Sequence, residues 1–227
     1  MADDEDSIRQ RILEAAKSLF IHYGYDKTTM NEIADKAEIS KSTLYLRWKK
    51  KEDLFEALVL RESRDYAEDW FRRVEEDPNG GTYGAWMRHA LEAFFGRPFL
   101  SALYRQDKRM MGVMVKQLGE NNMFLQRYLT GLQFFQMMQD ANLARKDIDF
   151  RAFVYLMNSM HFGLLHMSEM IPEDVAPPIQ ATMKTMADVI ESFVTPSDAG
   201  DSAAGKEVLQ AYMNRVRDVL DQLEKKH

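Results

Sequence analysis

The sequence predicts an all-α protein, and three observations support this. Apolar residues recur at three- and four-residue steps in almost every segment, as they do on one face of an α-helix. No segment shows the sustained alternation of apolar and polar residues that marks a half-buried strand. Residues that cap or end helices separate these segments. We therefore expect an N-terminal three-helix domain with a helix-turn-helix, a larger helical domain and an extra C-terminal helix.

The first three predicted helices form the helix-turn-helix domain. Segment 7–24, SIRQRILEAAKSLFIHYG, has a helical apolar face, with a capping serine at its start and a glycine at its end. Thr29 and Glu32 have the spacing of a capping box at the start of a second, shorter helix. Ser40 is placed to cap a third. Two short helices joined by three residues are typical of a helix-turn-helix, which we place at about 29–48.

The later helices are longer and more apolar. Their boundaries follow from breaks such as DPNGG, IPEDVAPP and the linker-like TPSDAGDSAAG. An amphipathic helix follows the linker. Its apolar stripe must pack either on its own subunit or on a partner subunit, and we favour the partner. The later predicted helices cover about 51–77, 82–95, 120–139, 149–170, 179–194 and 203–226.

The composition is that of a globular intracellular protein. The chain has 227 residues, is 45% hydrophobic and 29% charged, and can form one large domain or two modest ones. It has no cysteine, which excludes disulfides and thiolate chemistry. The N-terminus does not have the pattern of a signal peptide, and no apolar run reaches the roughly 18 residues that span a bilayer. These features predict a cytoplasmic protein with no membrane partner.

A local basic patch stands out in this acidic chain. The formal net charge is −6, yet the segment 41–51 contains five basic residues and no acidic one. The second helix of a helix-turn-helix lies in the DNA major groove, where Lys binds guanine acceptors or phosphate, and Ser and Thr bind base edges. Leu46 offers only apolar contact, for example to a thymine methyl, and Leu44 is expected to pack inward. The expected DNA contacts in this patch are Lys41, Ser42, Thr43, Tyr45, Leu46, Lys49 and Lys51.

Residues 8–58 resemble the DNA-binding domain of the TetR (tetracycline-repressor-like) family of transcriptional regulators. The matching stretches are ILEAAKSLF, GYDKTTMNEIA, ISKSTLY and KEDLF. The resemblance implies that Thr28 or Thr29 contacts a phosphate, that 41–45 enters the major groove and that Lys51 contacts a phosphate. It also implies a second domain that binds a small molecule, and a homodimer.

Three residues depart from the family pattern. Glu38 stands where the family usually has a glycine in the turn, and a positive φ there would cost about 1 kcal/mol. Ser42 replaces the usual glycine of the recognition helix, and Leu46 stands where polar residues are common. Operator preference is therefore expected to differ from that of other members.

Aromatic residues and methionines are abundant in the predicted second domain. Twelve of the sixteen methionines lie between Met110 and Met186, where they either fill the core or line an apolar cavity. The resemblance favours the cavity. Buried polar side chains would then orient a hydrophobic effector. The residues that we expect to contact such an effector are Trp86, His89, Tyr104, Met114, Phe124, Tyr128, Asn158 and Phe162.

We interpret the chain as a homodimeric, sequence-specific DNA-binding regulator, a repressor released from operator DNA by a hydrophobic small molecule. The expected domains are 1–50 for DNA binding, 51–195 for ligand binding and dimerisation, and 196–227 for the linker and terminal helix. Two alternatives remain open: a ligand-independent DNA-binding regulator and an enzyme carrying a DNA-binding-like module. The sequence has no Gly-rich phosphate loop, no G-x-S-x-G and no H-E-x-x-H, so we predict no catalysis, no cofactor and no metal site.

Overall fold

The computed structural model describes residues 2–114, 123–172, 174–199 and 201–224, with the side chains at 2–4, 123–127 and 168–169 excepted. Within these residues the chain is helical and has no strand, which confirms the all-α prediction. The helices are α1 (Ala2–Tyr23), α2 (Met30–Lys36), α3 (Lys41–Arg47), α4 (Lys51–Glu76), α5 (Tyr83–Phe95), α6 (Pro98–Tyr104), α7 (Lys108–Met111), α8 (Met123–Asp140), α9 (Phe150–Met170), α10 (Ile179–Val194) and α11 (Ser202–Glu224).

The predicted helix starts in the helix-turn-helix are confirmed by their caps. The Glu32 N–H donates to Thr29 Oγ1 at 3.2 Å, and the Thr29 N–H donates to Glu32 Oε2 at 2.8 Å, which forms the reciprocal capping box. Ser40 Oγ accepts from the Thr43 N–H at 3.1 Å at the start of α3. Helix α1 begins at Ala2, earlier than the predicted cap at Ser7.

The described residues fall into two compact units. The first comprises the described residues within Met1–Arg64, Pro98–Asn121 and Leu220–His227, and the second comprises those within Asp65–Arg97 and Asn122–Val219. This division reflects packing alone. The assignment of DNA binding, ligand binding and dimerisation to the predicted domains stays a prediction.

Aromatic rings form the core of the first unit. The Phe55 ring lies 5.4 Å from that of Phe20, 5.3 Å from that of Tyr25 and 5.6 Å from that of Phe99. Phe99 comes from α6, so α6 packs with the N-terminal helices. The turn after α1 is also held by α7, because the Tyr25 N–H donates to Met110 O at 2.8 Å.

The core of the second unit combines α5, α8, α9 and α10 with α11. The rings of Trp86 and Phe134 stack at 4.5 Å, and those of Phe135 and Phe153 lie 4.7 Å apart. Met213 of α11 is fully buried in this core. Helix α11 therefore docks part of its apolar stripe on its own chain, while Val219 and Leu223 of that stripe stay exposed, so the expected contribution to a dimer surface stays a prediction. The part of the stripe that finds apolar partners within its own chain needs no second subunit to leave water.

Candidate nucleic-acid interface

Helix α3 separates its buried and exposed faces within seven residues. Leu44 is fully buried, as predicted, and it anchors the helix to the core of the first unit. Lys41, Ser42, Tyr45 and Leu46 are exposed on the other side, with Tyr45 45% exposed and Leu46 85% exposed. A leucine as exposed as Leu46 is stabilised by no packing within the subunit, so its side chain is available to a partner.

The turn between α2 and α3 requires a left-handed residue. Glu38 has a φ of +53°, which confirms that the position suits the glycine usual in related sequences. The Ile39 N–H still donates to Ala34 O at 3.1 Å, so the turn closes the end of α2 despite the strained residue. The strain costs about 1 kcal/mol relative to glycine.

Hydroxyl groups cluster at the start of α3. Ser40 Oγ lies 2.8 Å from Ser42 Oγ and 2.7 Å from Thr43 Oγ1. Hydroxyls both donate and accept hydrogen bonds, so Ser42 and Thr43 can bond base edges or phosphate oxygens by exchanging these internal contacts. Their predicted DNA contacts are compatible with this placement.

Most cations of the basic patch are free of internal partners. The side chains of Lys41, Lys49 and Lys50 are exposed and form no ion pair or hydrogen bond with a residue that the structure describes. Arg47 differs, because its Nη2 lies 3.5 Å from Glu5 Oε1. The predicted set omits Lys50, which is exposed like Lys49; the run of three lysines at 49–51 is the sequence signal for it.

The two threonines before α2 have different surroundings. Thr28 is 2% exposed, and its Oγ1 donates to Gly24 O at 2.8 Å. Thr29 is exposed at the start of α2, where its backbone and side-chain hydrogen bonds lower the pKa of Glu32. Of the two, only Thr29 has a surface position suited to the predicted phosphate contact.

Lys51 is bonded within the chain. Its Nζ donates to Tyr25 O at 2.6 Å and to Thr28 O at 2.7 Å, and it lies 4.1 Å from the centre of the Tyr25 ring. Partial burial lowers the pKa of Lys51, although the carboxylates of Asp26 and Glu52 act in the opposite direction. Two of its three N–H donors are therefore used in the first unit.

The predicted effector residues are divided between the two units. Tyr104 and Met114 are buried in the first unit, and the side chain of Phe124 lies outside the described residues. The other five belong to the second unit: Trp86, His89, Tyr128, Asn158 and Phe162. Their role in binding an effector stays a prediction.

Four of these five have polar groups, which differ in how they are bonded. The ring nitrogens of His89 lie 2.8 Å from Asp77 Oδ2 and 3.3 Å from Glu92 Oε2. Burial would raise the pKa of Asp77, but hydrogen bonds from His89 and the Asn79 backbone outweigh it and lower that pKa. Tyr128 Oη donates to Arg151 O at 3.3 Å, and Asn158 Nδ2 donates to Val154 O at 2.8 Å.

Trp86 is the exception among these polar groups. Its indole N–H is buried, and no described residue accepts its hydrogen bond. A buried donor without an acceptor is costly, so such a group is a candidate for orienting a bound molecule.

The described residues hold neither a metal-binding cluster nor a membrane-spanning helix. No three His, Asp or Glu side chains among them lie close enough together to hold a metal ion. None of the described helices has the length and apolar content needed to cross a membrane.

Comparison with known proteins identifies the N-terminal segment. Residues 12–58 match the family model described as "Bacterial regulatory proteins, tetR family". The chain is 41% identical over 64 residues to the HTH-type transcriptional regulator QacR of Staphylococcus aureus. That match covers 28% of this chain and 34% of QacR, so the chain spans about a third of that relative's length.

Solved structures extend the likeness of the fold over most of the chain. FadR of Bacillus subtilis, solved in complex with stearoyl-CoA, has a TM-score of 0.60 at 16% identity, covering 81% of this chain and 97% of FadR. SmeT, the repressor of the SmeDEF multidrug efflux pump of Stenotrophomonas maltophilia, has a TM-score of 0.58 at 18% identity, covering 83% of this chain and 91% of SmeT. These identities support the fold alone. Residues 12–58, which contain the helix-turn-helix formed by α2 and α3, are therefore similar to the tetR family of bacterial regulatory proteins.

Proposed function

We propose that this protein is a transcriptional regulator that binds operator DNA through the exposed face of α3 and the lysines that follow it. One observation carries the proposal: Lys41, Lys49 and Lys50 are exposed and have no internal partner among the described residues, beside a helix that buries Leu44. Unpaired cations around a base-reading helix attract DNA phosphates and release counterions on binding.

Within this surface the residues have separate roles. Lys49 and Lys50 bind phosphates and contribute affinity without sequence preference. Lys41 and Ser42 offer polar groups to base edges, and Leu46 offers an apolar contact to a thymine methyl. Tyr45 packs its ring against the duplex backbone and directs its hydroxyl to a phosphate.

Selection of duplexes from a random-sequence pool, followed by affinity measurements, tests the DNA proposal. Tyr45→Ala should weaken binding to the selected duplex, whereas Tyr23→Ala, which removes another exposed tyrosine of the same unit, should not. Leu46→Ala should relax the preference at one base pair, with a loss of about 1–3 kcal/mol of discrimination. Unchanged base preference in Leu46→Ala would contradict its role as a base contact.

The same proposal includes an effector, a neutral, cationic or weakly acidic lipophile bound in the second domain. Four arginines of the second unit support this, since Arg72, Arg88, Arg145 and Arg217 each pair with a carboxylate of that unit. An anionic effector that used one of these four arginines would have to displace its carboxylate. Trp86 supplies the oriented donor, because its buried indole N–H is unpaired among the described residues.

A thermal-shift screen of lipophilic compounds, combined with DNA release, tests the effector proposal. A compound that raises the melting temperature should release the selected duplex over the same concentration range, because both effects report one binding event. Trp86→Phe keeps an aromatic ring and removes the N–H, and it should weaken the compound's binding without weakening DNA binding. Release only by hydrophilic, multiply charged compounds would contradict the effector class. If no compound releases DNA, the ligand-independent regulator becomes the better account.

We further propose that the protein is a homodimer formed through α9 and α10. Several large apolar side chains on these helices are exposed in the single chain: Tyr155, Leu156, Phe162, Met167, Val189 and Phe193. Stacking of the Phe153 and Phe193 rings, 6.2 Å apart, brings the two helices together. An apolar surface of this kind is typical of an interface between copies.

Light scattering at micromolar concentration tests the dimer. The wild-type chain should be dimeric, and the double variant Val189→Glu/Phe193→Glu should be monomeric. Lys184→Glu changes the charge by the same two units on the polar side of α10 and should stay dimeric. A stable wild-type monomer would contradict the proposal.

An enzyme carrying a DNA-binding-like module stays the less favoured alternative. The matched relatives are named as regulators. A catalytic function would require turnover of a compound found in the thermal-shift screen, which mass spectrometry of the incubated compound would detect.

A further inference from the structure

The start of α4 is tied to the turn that precedes the helix-turn-helix. Lys51 Nζ donates to Tyr25 O at 2.6 Å and to Thr28 O at 2.7 Å, two carbonyls at opposite ends of one turn. The same ammonium lies 4.1 Å from the centre of the Tyr25 ring, which adds a cation–π contact. Charge-assisted hydrogen bonds of this length are stronger than those between neutral groups.

This turn determines where α2 begins. Gly24 enters it with a φ of +87°, and an added Cβ would clash with the backbone oxygen of Arg109, so only glycine fits. The Thr28 N–H donates to Tyr25 O at 3.3 Å, and Thr28 Oγ1 donates to Gly24 O. The next residue, Thr29, is the N-cap of α2. A residue that fixes the carbonyls of Tyr25 and Thr28 therefore fixes the first turn of α2 relative to α4.

Lys51 also differs from its neighbours in environment. Its ammonium is partly buried, and this burial lowers the pKa of Lys51, while the carboxylates of Asp26, Glu52 and Glu32 act in the opposite direction. Lys49 and Lys50 are exposed and have no internal partner among the described residues. Of the three consecutive lysines, only Lys51 therefore has its ammonium bonded to a described residue.

We propose that Lys51 is a positioning residue. It holds the turn before α2, so that the helix-turn-helix keeps the orientation that DNA recognition needs. Lys49 and Lys50 supply the phosphate contacts of this run of lysines. The proposal rests on the DNA-binding function proposed above. It assigns different roles to lysines that a sequence pattern cannot distinguish.

Paired variants separate the two roles. Lys51→Met and Lys49→Met each keep an unbranched apolar stem and remove one ammonium. The first measurement for each variant is the melting temperature of the DNA-free protein. The second is the salt slope of binding to a random-sequence duplex, and the third is the ratio of affinities for the selected and random duplexes. Both binding measurements are made at a temperature where circular dichroism shows a fully folded protein.

Lys51→Met should lower the melting temperature and the affinity ratio while leaving the salt slope unchanged. Lys49→Met should leave the melting temperature unchanged and reduce the slope of log K against log salt by about 0.9 for each subunit. The affinity ratio is the deciding readout, because a merely structural lysine would change the melting temperature without changing the specificity of the folded protein.

Two results would overturn the proposal. A reduced salt slope in Lys51→Met would show that Lys51 contacts phosphate, and an unchanged affinity ratio would show that it only stabilises the fold. Wild-type protein whose binding to every duplex is independent of salt would contradict the proposed DNA-binding function itself, and the positioning role would fall with it. The melting temperatures would then still report whether Lys51 stabilises the turn, so the two failures are distinguishable.

Discussion

Helix α3 with the lysines after it and the C-terminal helix α11 both carry charge, but the two regions differ in how that charge is bonded. On α11, Arg217 contacts both oxygens of Glu68 at 2.9 Å, and Lys206 donates to Glu75 O at 2.8 Å. Around α3, Lys41 and Lys49 have no ionic partner among the described residues. Arg217 and Lys206 of α11 are therefore satisfied within the chain, whereas Lys41 and Lys49 beside α3 are not.

The two helices also differ in how firmly they are anchored. Helix α11 buries Leu209, Met213 and Leu220, whereas α3 fully buries only Leu44. A helix held by several buried side chains contributes to the stability of its unit. A helix held by one buried side chain, and otherwise covered with open polar groups, is better explained by what it binds. Whether a charged side chain has a bonding partner within its own chain therefore separates structural charge from functional charge. A count of basic residues in the sequence does not make this distinction.

Truncation of the buried anchors gives the largest expected effects. Leu44→Ala and Met213→Ala should each lower the free energy of unfolding by about 2–5 kcal/mol, because both side chains are fully buried. Leu46→Ala should change it by less than about 0.5 kcal/mol, since that side chain is 85% exposed. Denaturant unfolding at one fixed protein concentration measures all three. A similar loss of stability in Leu46→Ala and Leu44→Ala would contradict the separation of faces on α3.

Relief of the strained turn should have a smaller effect of the opposite sign. Glu38→Gly should raise the free energy of unfolding by about 1 kcal/mol, because the φ of +53° favours glycine. Asp35→Gly compared with Asp35→Ala provides the matched control, since glycine within α2 should be less stable there than alanine by about 0.5–1 kcal/mol. If Glu38→Gly is destabilising as well, the strain at Glu38 has no energetic consequence.

Removal of an ion pair from α11 should have the smallest effect. Arg217 and Glu68 are both partly exposed, so a double-mutant cycle of Arg217→Ala and Glu68→Ala should give a coupling of about 0.2–1 kcal/mol. Neither variant should change the salt slope of DNA binding, since the pair is satisfied internally. A changed salt slope in Arg217→Ala would break the distinction between the two helices.

The sequence predicted features that depend on local pattern. The capping box at Thr29 and the inward side chain of Leu44 follow from residue type and spacing over a few positions, whereas only the family resemblance pointed to a positive φ at Glu38. Features set by distant contacts were not predictable. The bonds from Lys51 to Tyr25 O and Thr28 O depend on how α4 meets the turn after α1, and no local pattern specifies this. The docking of α11 was similarly open, because an apolar stripe does not identify its partner.

The salt dependence of DNA binding tests the central claim most directly. One triple variant removes three cations that have no partner within the described residues: Lys41→Gln/Lys49→Gln/Lys50→Gln. A second triple variant removes the same charge, but from cations paired with Glu76, Asp147 and Asp188: Arg72→Gln/Arg145→Gln/Lys184→Gln. We predict that the slope of log K against log salt falls by about 0.9 for each DNA phosphate that the first variant no longer neutralises, and stays at the wild-type value in the second. Equal slopes for the two variants would show that DNA responds to net charge alone, and would contradict the assignment of the α3 surface as the DNA-binding site.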